Sequence, residues 1–171
     1  KNILKNLKKG GVYYCWHSGK TQKEFQNYLE DSGFLISTTI IWAKGHFAFS
    51  RQDYHPQHEP CFYGWSKGMA HNFYGERNQS TIWNVLYDSG HKTAGRNTVH
   101  PTQKPVELSL KAIKNSSKIE DIVLDIFGGS GSTLIGCEKT DRICYMMELE
   151  PKYCDVIVKR WEQWTGEKAT K

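Results

Sequence analysis

The sequence predicts an α/β protein whose mostly parallel, doubly wound sheet carries an antiparallel edge. Three observations predict it. Residues 121–126, 134–139, 143–149 and 151–164 run strand, helix, strand, helix, the order of parallel strands joined by crossover helices. Between the first strand and its helix stands Phe127-Gly-Gly-Ser-Gly-Ser-Thr133, a turn flexible enough to bring backbone close to a ligand. Residues 34–43 and 59–65 are two strand-like runs joined by a loop, which suits an antiparallel pair at one edge.

Length and composition set bounds on the rest. A chain of 171 residues suits one domain with a sizeable core. It holds no apolar run long enough to span a membrane, and its charged N-terminus lacks the apolar segment of a secretory signal. Five cysteines (Cys15, Cys61, Cys137, Cys144 and Cys154), odd in number and without a CxxC pair, fit free thiols in a reducing cytoplasm. His55, His58 and Cys61 are spaced like metal ligands, but no fourth ligand accompanies them, so they read as loop and strand residues and no metal is expected. The net charge of +5 permits a polyanionic partner. More telling is a basic and aromatic middle region, in which the aromatic residues concentrate between Trp42 and Tyr87. Aromatic faces stack on bases, and basic side chains meet phosphates.

Taken in order, residues 1–9 read as the end of a helix stopped by Gly10 and Gly11. A strand, Val12 to Trp16, turns at His17-Ser-Gly19 into a helix over residues 21–31. Phe25, Tyr28 and Leu29 give that helix an apolar face, read as core packing. Phe34 to Ala43, rich in β-branched residues, is the second strand; a loop bearing Lys44, His46, Arg51 and His55 leads to a third, Glu59 to Trp65. Residues 69–99 show no period, and their aromatics Phe73, Tyr74, Trp83 and Tyr87 argue against disorder. Pro105 suits the first turn of a helix over residues 106–115, where a missing N–H costs nothing. The first of the parallel strands, Ile122 to Ile126, is apolar apart from Asp125 and reads as buried.

The chemistry gathers at the ends of the two parallel strands. A glycine turn between a strand and a helix start is a nucleotide-binding corner when an acidic residue follows about 20 residues on. Glu148, at the end of the next strand, stands where a carboxylate would accept hydrogen bonds from ribose hydroxyls, while Glu150 reads as a helix-start carboxylate. On these residues alone an NAD-type oxidoreductase stays open.

His100-Pro-Thr-Gln-Lys-Pro105, a helix, and then Leu124-Asp-Ile-Phe-Gly-Gly-Ser-Gly-Ser-Thr133 narrow the choice. This combination resembles the amino-methylating DNA methyltransferases of the β circular order. The resemblance extends over nearly the whole chain. Arg51-Gln-Asp-Tyr54, His58-Glu-Pro60 with Tyr63-Gly-Trp65, Thr81-Ile-Trp83, and the run from Met147 to Trp161 look like the prophage-type members.

The resemblance implies a Rossmann-like S-adenosylmethionine-dependent methyltransferase fold, incomplete in this chain. It puts Asp125, Phe127, Gly128, Gly129 and Gly131 around the methionine part of the cofactor and Glu148 at the ribose. Thr102, Gln103 and Lys104 would fix the cofactor's carboxylate end. Its implied substrate is an exocyclic amine of double-stranded DNA, adenine first and cytosine close behind, on a base turned out of the helix. Lys44, His46, Arg51, Arg77, Lys92 and Arg96 are the candidate DNA contacts. Residues 66–99 would form a short target-recognition insert, which leaves room for help from a second subunit, as in a homodimer. A cytoplasmic, nucleoid-associated protein of a restriction-modification system or prophage is the setting implied.

One departure stands out. The family's Asp/Asn-Pro-Pro-Tyr/Phe catalytic loop is absent: proline occurs only at 56, 60, 101, 105 and 151. In the family's order that motif precedes the helix ending at Lys9, so it is expected upstream of residue 1, together with the strand beside the cofactor strand. No catalytic residue is therefore assigned in this chain, which by itself is expected to be inactive. A catalytically dead cofactor- or DNA-binding module is the rival from another class.

Overall fold

The computed structural model describes residues 2–47, 49, 51–86 and 103–170. They form two compact units, Lys1–Leu86 and Tyr87–Lys171, each with its own sheet.

The first unit begins with α1 (Asn2–Asn6) and β1 (Val12–Trp16), and a single 3-10 turn (Gly19–Thr21) leads into α2 (Gln22–Asp31). Then come β2 (Phe34–Ala43), β3 (His58–Ser66) and β4 (Ile82–Asn84). The strands lie in the order β1-β3-β2-β4, with β3 antiparallel to both neighbours and β4 parallel to β2. Antiparallel pairing is thus more than an edge feature in this unit. The cause is local: the loop from β2 folds straight back into β3 rather than crossing over through a helix.

Aromatic burial holds the unit together. Trp42 and Cys61 are wholly buried, and Phe34, Ile40, Phe62, Tyr63 and Trp83 nearly so. The indole Nε1 of Trp42 donates to the Val85 carbonyl at 2.7 Å, satisfying its one polar atom and fastening the segment after β4. Trp16 packs edge-on against both Trp42 and Trp83, at ring separations of 6.4 Å. The apolar face of α2, in contrast, is not core. No residue of that helix is buried, and Tyr28 is 73% exposed. Phe25 is partly exposed, its ring stacked 6.0 Å from His17, so the helix covers the sheet without filling an interior.

The second unit comprises α3 (Val106–Ser116), β5 (Ile122–Asp125), α4 (Ser132–Glu138), β6 (Ile143–Met146) and α5 (Pro151–Thr165). β5 and β6 pair in parallel, Ile122 opposite Ile143 and Asp125 opposite Met146, which sets their carboxyl ends side by side. Leu108, Ile113, Ile135, Cys137 and Ile157 form the core under the helices. Gly136 admits the close approach of α3, since a β-carbon there would meet Ile113 and Ser109 at 3.1 and 3.3 Å. Arg142 straps this core shut by donating to the Ser117 hydroxyl and carbonyl (3.2 and 2.8 Å) and to the Thr140 carbonyl. The β5 strand is less buried than its apolar sequence suggests. Ile122 and Leu124 are exposed, as are Ile143 and Tyr145 beside them, because among the described residues of this unit helices back only the other face.

No described helix is long and apolar enough to cross a membrane. All five cysteines are free thiols. His55 and His58 are exposed, and no group of three or more His, Cys, Asp or Glu suited to a metal ion occurs among the described residues.

Candidate cofactor corner

At the carboxyl end of β5 the chain must turn sharply, and three features shape the turn. Asp125 Oδ1 accepts from the Phe127 amide at 3.0 Å, an Asx-type closure that begins the bend. Gly128 donates its amide to the Met147 carbonyl at 2.8 Å and lies so near Met146 that a β-carbon would come 2.7 Å from that sulfur. Gly129 and Gly131 take φ values of +55° and +78°, left-handed backbone that favours glycine. The turn closes through a Gly131 amide to Gly128 carbonyl bond of 2.8 Å, and α4 starts directly after it.

Glu148 reaches this turn from the end of β6. Its Oε2 accepts the Gly129 amide at 2.7 Å and its Oε1 accepts the Glu150 amide at 3.0 Å. The two backbone bonds orient the group, and a carboxylate held this way is a strong acceptor of charge-assisted hydrogen bonds. Ribose hydroxyls are donors for such bonds. Glu150 stands at the N-cap position of α5, but its exposed side chain makes no capping bond. The Phe127 ring is 83% exposed beside the turn, an apolar surface open to a ligand.

The stretch before α3 joins the same corner. Ser132 Oγ donates to the Lys104 carbonyl at 2.7 Å, and Gln103 is buried next to it. Asp125, Phe127, Gly128, Gly129, Gly131, Glu148, Gln103 and Lys104 are therefore assembled around one turn. Thr102 lies outside the described residues. Sequence reading placed Ser130 and Ser132 only near a helix start; their hydroxyls, 3.3 Å apart, prove to tie the corner together.

The basic candidates in the first unit are placed less evenly. Lys44 is committed locally, its Nζ 2.6 Å from Glu59 and 5.1 Å over the Trp42 ring, with its side chain 16% exposed. His46, Arg51 and Arg77 are exposed on loops. Lys92 and Arg96 lie outside the described residues. Of the 66–99 insert, β4 and the segment up to Leu86 are described.

A parallel strand pair whose carboxyl ends carry a glycine turn and a facing carboxylate defines an α/β nucleoside-binding fold of the Rossmann-like methyltransferase type. The chain belongs to the DNA methylase family of N6 and N4 amino-methylating enzymes, whose family model matches residues 1–159. The Type II methyltransferase M2.MboI of Moraxella bovis is 28% identical over 173 residues, covering 93% of this chain and 62% of that relative. The chain thus spans less than two thirds of that protein's length. Among solved structures, the M1.HpyAVI–SAM complex is similar with a TM-score of 0.74 and 26% identity, over 90% of this chain and 76% of the other. The cytosine-N4-specific PvuII DNA methyltransferase shares the fold, with a TM-score of 0.75 at 17% identity over 93% of this chain and 66% of its own.

Proposed function

We propose that the protein transfers a methyl group from S-adenosylmethionine to the exocyclic amine of adenine in double-stranded DNA. The observation that carries this reading is the Glu148 carboxylate held by the Gly129 and Glu150 amides at the mouth of the glycine turn, within a chain of the DNA methylase family. Those residues fit the cofactor. Glu148 presents an oriented carboxylate of the kind that accepts ribose hydroxyls, the close-packed Gly128 turn presents backbone, and exposed Phe127 offers a ring face. Thr102, Gln103 and Lys104 are proposed at the cofactor's carboxylate end.

When bound, S-adenosylmethionine supplies an activated methyl group. The chain's own residues bind and orient it, which is where positioning contributes most to such a transfer. That methyl would be accepted by a neutral exocyclic amine of the target base, whose lone pair must be presented to it in line. Reaching it requires the base to leave the DNA stack. His46, Arg51, Arg77, Lys92 and Arg96 are proposed on the DNA side. Lys44, already paired with Glu59, is the weakest of that set. The adenine choice rests on family resemblance alone, and cytosine N4 is its competitor. A cytoplasmic, nucleoid-associated location follows from such a substrate, and partnership with a second subunit is proposed for target recognition.

Calorimetry on the chain tests the cofactor: S-adenosylmethionine is expected to bind and NAD to give no heat, and a preference for NAD would overturn the assignment. Digestion and mass analysis of DNA from cells expressing the complete gene tests the substrate. N6-methyladenine is the expected product, N4-methylcytosine would move the target amine, and the absence of both would favour an inactive binding module. With no Asp-Pro-Pro-Tyr run among its residues, the 171-residue chain alone is expected to incorporate no methyl groups into DNA.

A further inference from the structure

The glycine turn is braced from below by α5. Ile157 fills the space that β-carbons at Gly128 and Gly131 would occupy, at 3.1 and 3.2 Å. Three residues on, along the same face of the helix, Arg160 extends to the turn itself. Its Nη1 donates to the Ser130 carbonyl at 2.9 Å and to the Ser130 hydroxyl at 3.2 Å, with a longer 3.4 Å approach to Ser132 Oγ. Ser132 Oγ in turn donates to the Lys104 carbonyl at 2.7 Å. Donors and acceptors run in one direction, guanidinium to hydroxyl to carbonyl, so each bond polarises the next.

This half-buried guanidinium therefore joins two stretches that are distant in sequence. One is the turn whose Gly129 amide orients Glu148. The other is the Gln103–Lys104 segment that enters α3. We infer that Arg160 is a positioning residue for the cofactor, acting through Ser130 and Ser132 to hold these two stretches at a fixed separation. The inference rests on the S-adenosylmethionine reading above. A turn merely needing a filler would be served by Ile157. Arg160 instead spends a charged, partly desolvated group on a carbonyl and two hydroxyls, the kind of bond that fixes geometry. Burial lowers the pKa of its guanidinium from the ordinary value, with Glu107 opposing that shift.

The test is a double-mutant cycle in cofactor affinity on the 171-residue chain, using Arg160→Met, Ser132→Ala and their combination, with Arg160→Lys as the conservative variant. Trp161→Phe is the control. It removes a neighbouring bond from α5, Trp161 Nε1 to Glu138 at 2.9 Å, without touching the turn. Arg160→Met and Ser132→Ala are each expected to weaken S-adenosylmethionine binding by about tenfold, and the pair together by little more, because both break one relay. Arg160→Lys, which keeps a donor for the Ser130 carbonyl, is expected to recover part of the loss. Thermal unfolding of each variant shows that binding is measured on folded protein. Wild-type affinity in Arg160→Met, full multiplication of the two losses, or an equal loss in Trp161→Phe would each overturn the inference. Failure of the wild-type chain itself to bind would instead overturn the cofactor assignment.

Discussion

Replacing Glu148 by alanine is expected to weaken S-adenosylmethionine binding by about a hundredfold or more, whereas Glu150→Ala leaves it near the wild-type value. Both residues are acidic and only two positions apart, but their surroundings differ. Glu148 accepts two backbone amides, Gly129 at 2.7 Å and Glu150 at 3.0 Å, and in the proposed complex also takes the ribose hydroxyls. Alanine would strand the Gly129 amide, loosen the turn and remove the ligand contact at once. Hydrogen bonds to a charged partner contribute roughly 1.5–3 kcal/mol each, so losing two of them accounts for about a hundredfold. Glu150 carries an exposed side chain that caps nothing. Glu148→Gln separates the two functions. An amide keeps one acceptor oxygen but turns an NH2 toward a backbone N–H, so binding should fall between wild type and alanine. Calorimetry across the three variants decides the matter. If Glu150→Ala proved the more damaging, the ribose would lie on the wrong carboxylate.

What the sequence showed, and what it hid, divides along physical lines. The strands over Val12–Trp16 and Phe34–Ala43 have the bounds that their β-branched and aromatic runs suggest. The glycine turn and its facing carboxylate were legible because they are close in sequence: Gly129 and Gly131, both with positive φ, stand with one residue between them, and Glu148 follows the very next strand. β4 was not legible. It is three residues long with one buried member, Trp83, so it leaves no period to find, and its existence depends on pairing with β2. The same holds for Lys44. Its basic character was evident, but the Glu59 carboxylate that occupies it lies in another strand and is brought there only by the β2–β3 register, Ala43 opposite His58. The role of Arg160 was not legible either, because helical periodicity cannot distinguish a side chain that packs from one that reaches a carbonyl 30 residues earlier. Tyr28 erred in the opposite direction, an aromatic at core spacing that faces solvent.

Gly64→Ala should be the most destructive single methyl that the first unit can receive. Gly64 sits in β3, the inner strand paired on both sides, opposite Tyr13 of β1 and Ile36 of β2. The β2 strand is irregular here, its register shifting between Ile36 and Thr38, and the Leu35 carbonyl is directed across the strand toward Gly64. The Tyr13 side chain crosses the bare glycine to donate its hydroxyl to that same carbonyl at 3.1 Å, while its ring meets Phe34 edge-on at 4.8 Å. Burial raises the Tyr13 pKa far above its usual value, which keeps the phenol a donor throughout the accessible pH range. A β-carbon at position 64 would collide with the Leu35 carbonyl oxygen and press on the Tyr13 hydroxyl at 3.0 Å. Backbone, unlike a side chain, cannot swing aside, so relief requires β2 and β3 to separate and the Tyr13 bond to break. Overpacking that displaces backbone falls in the upper range of single-substitution effects, here at least about 3 kcal/mol. Tyr13→Phe is the companion measurement. It deletes the hydroxyl alone and is expected to cost about 1 kcal/mol, the net worth of one hydrogen bond. Urea unfolding followed by tryptophan fluorescence reads both, since Trp16, Trp42, Trp65 and Trp83 all lie in this unit. Equal stabilities for Gly64→Ala and wild type would mean that β2 yields at its bulge and that the glycine is not required there.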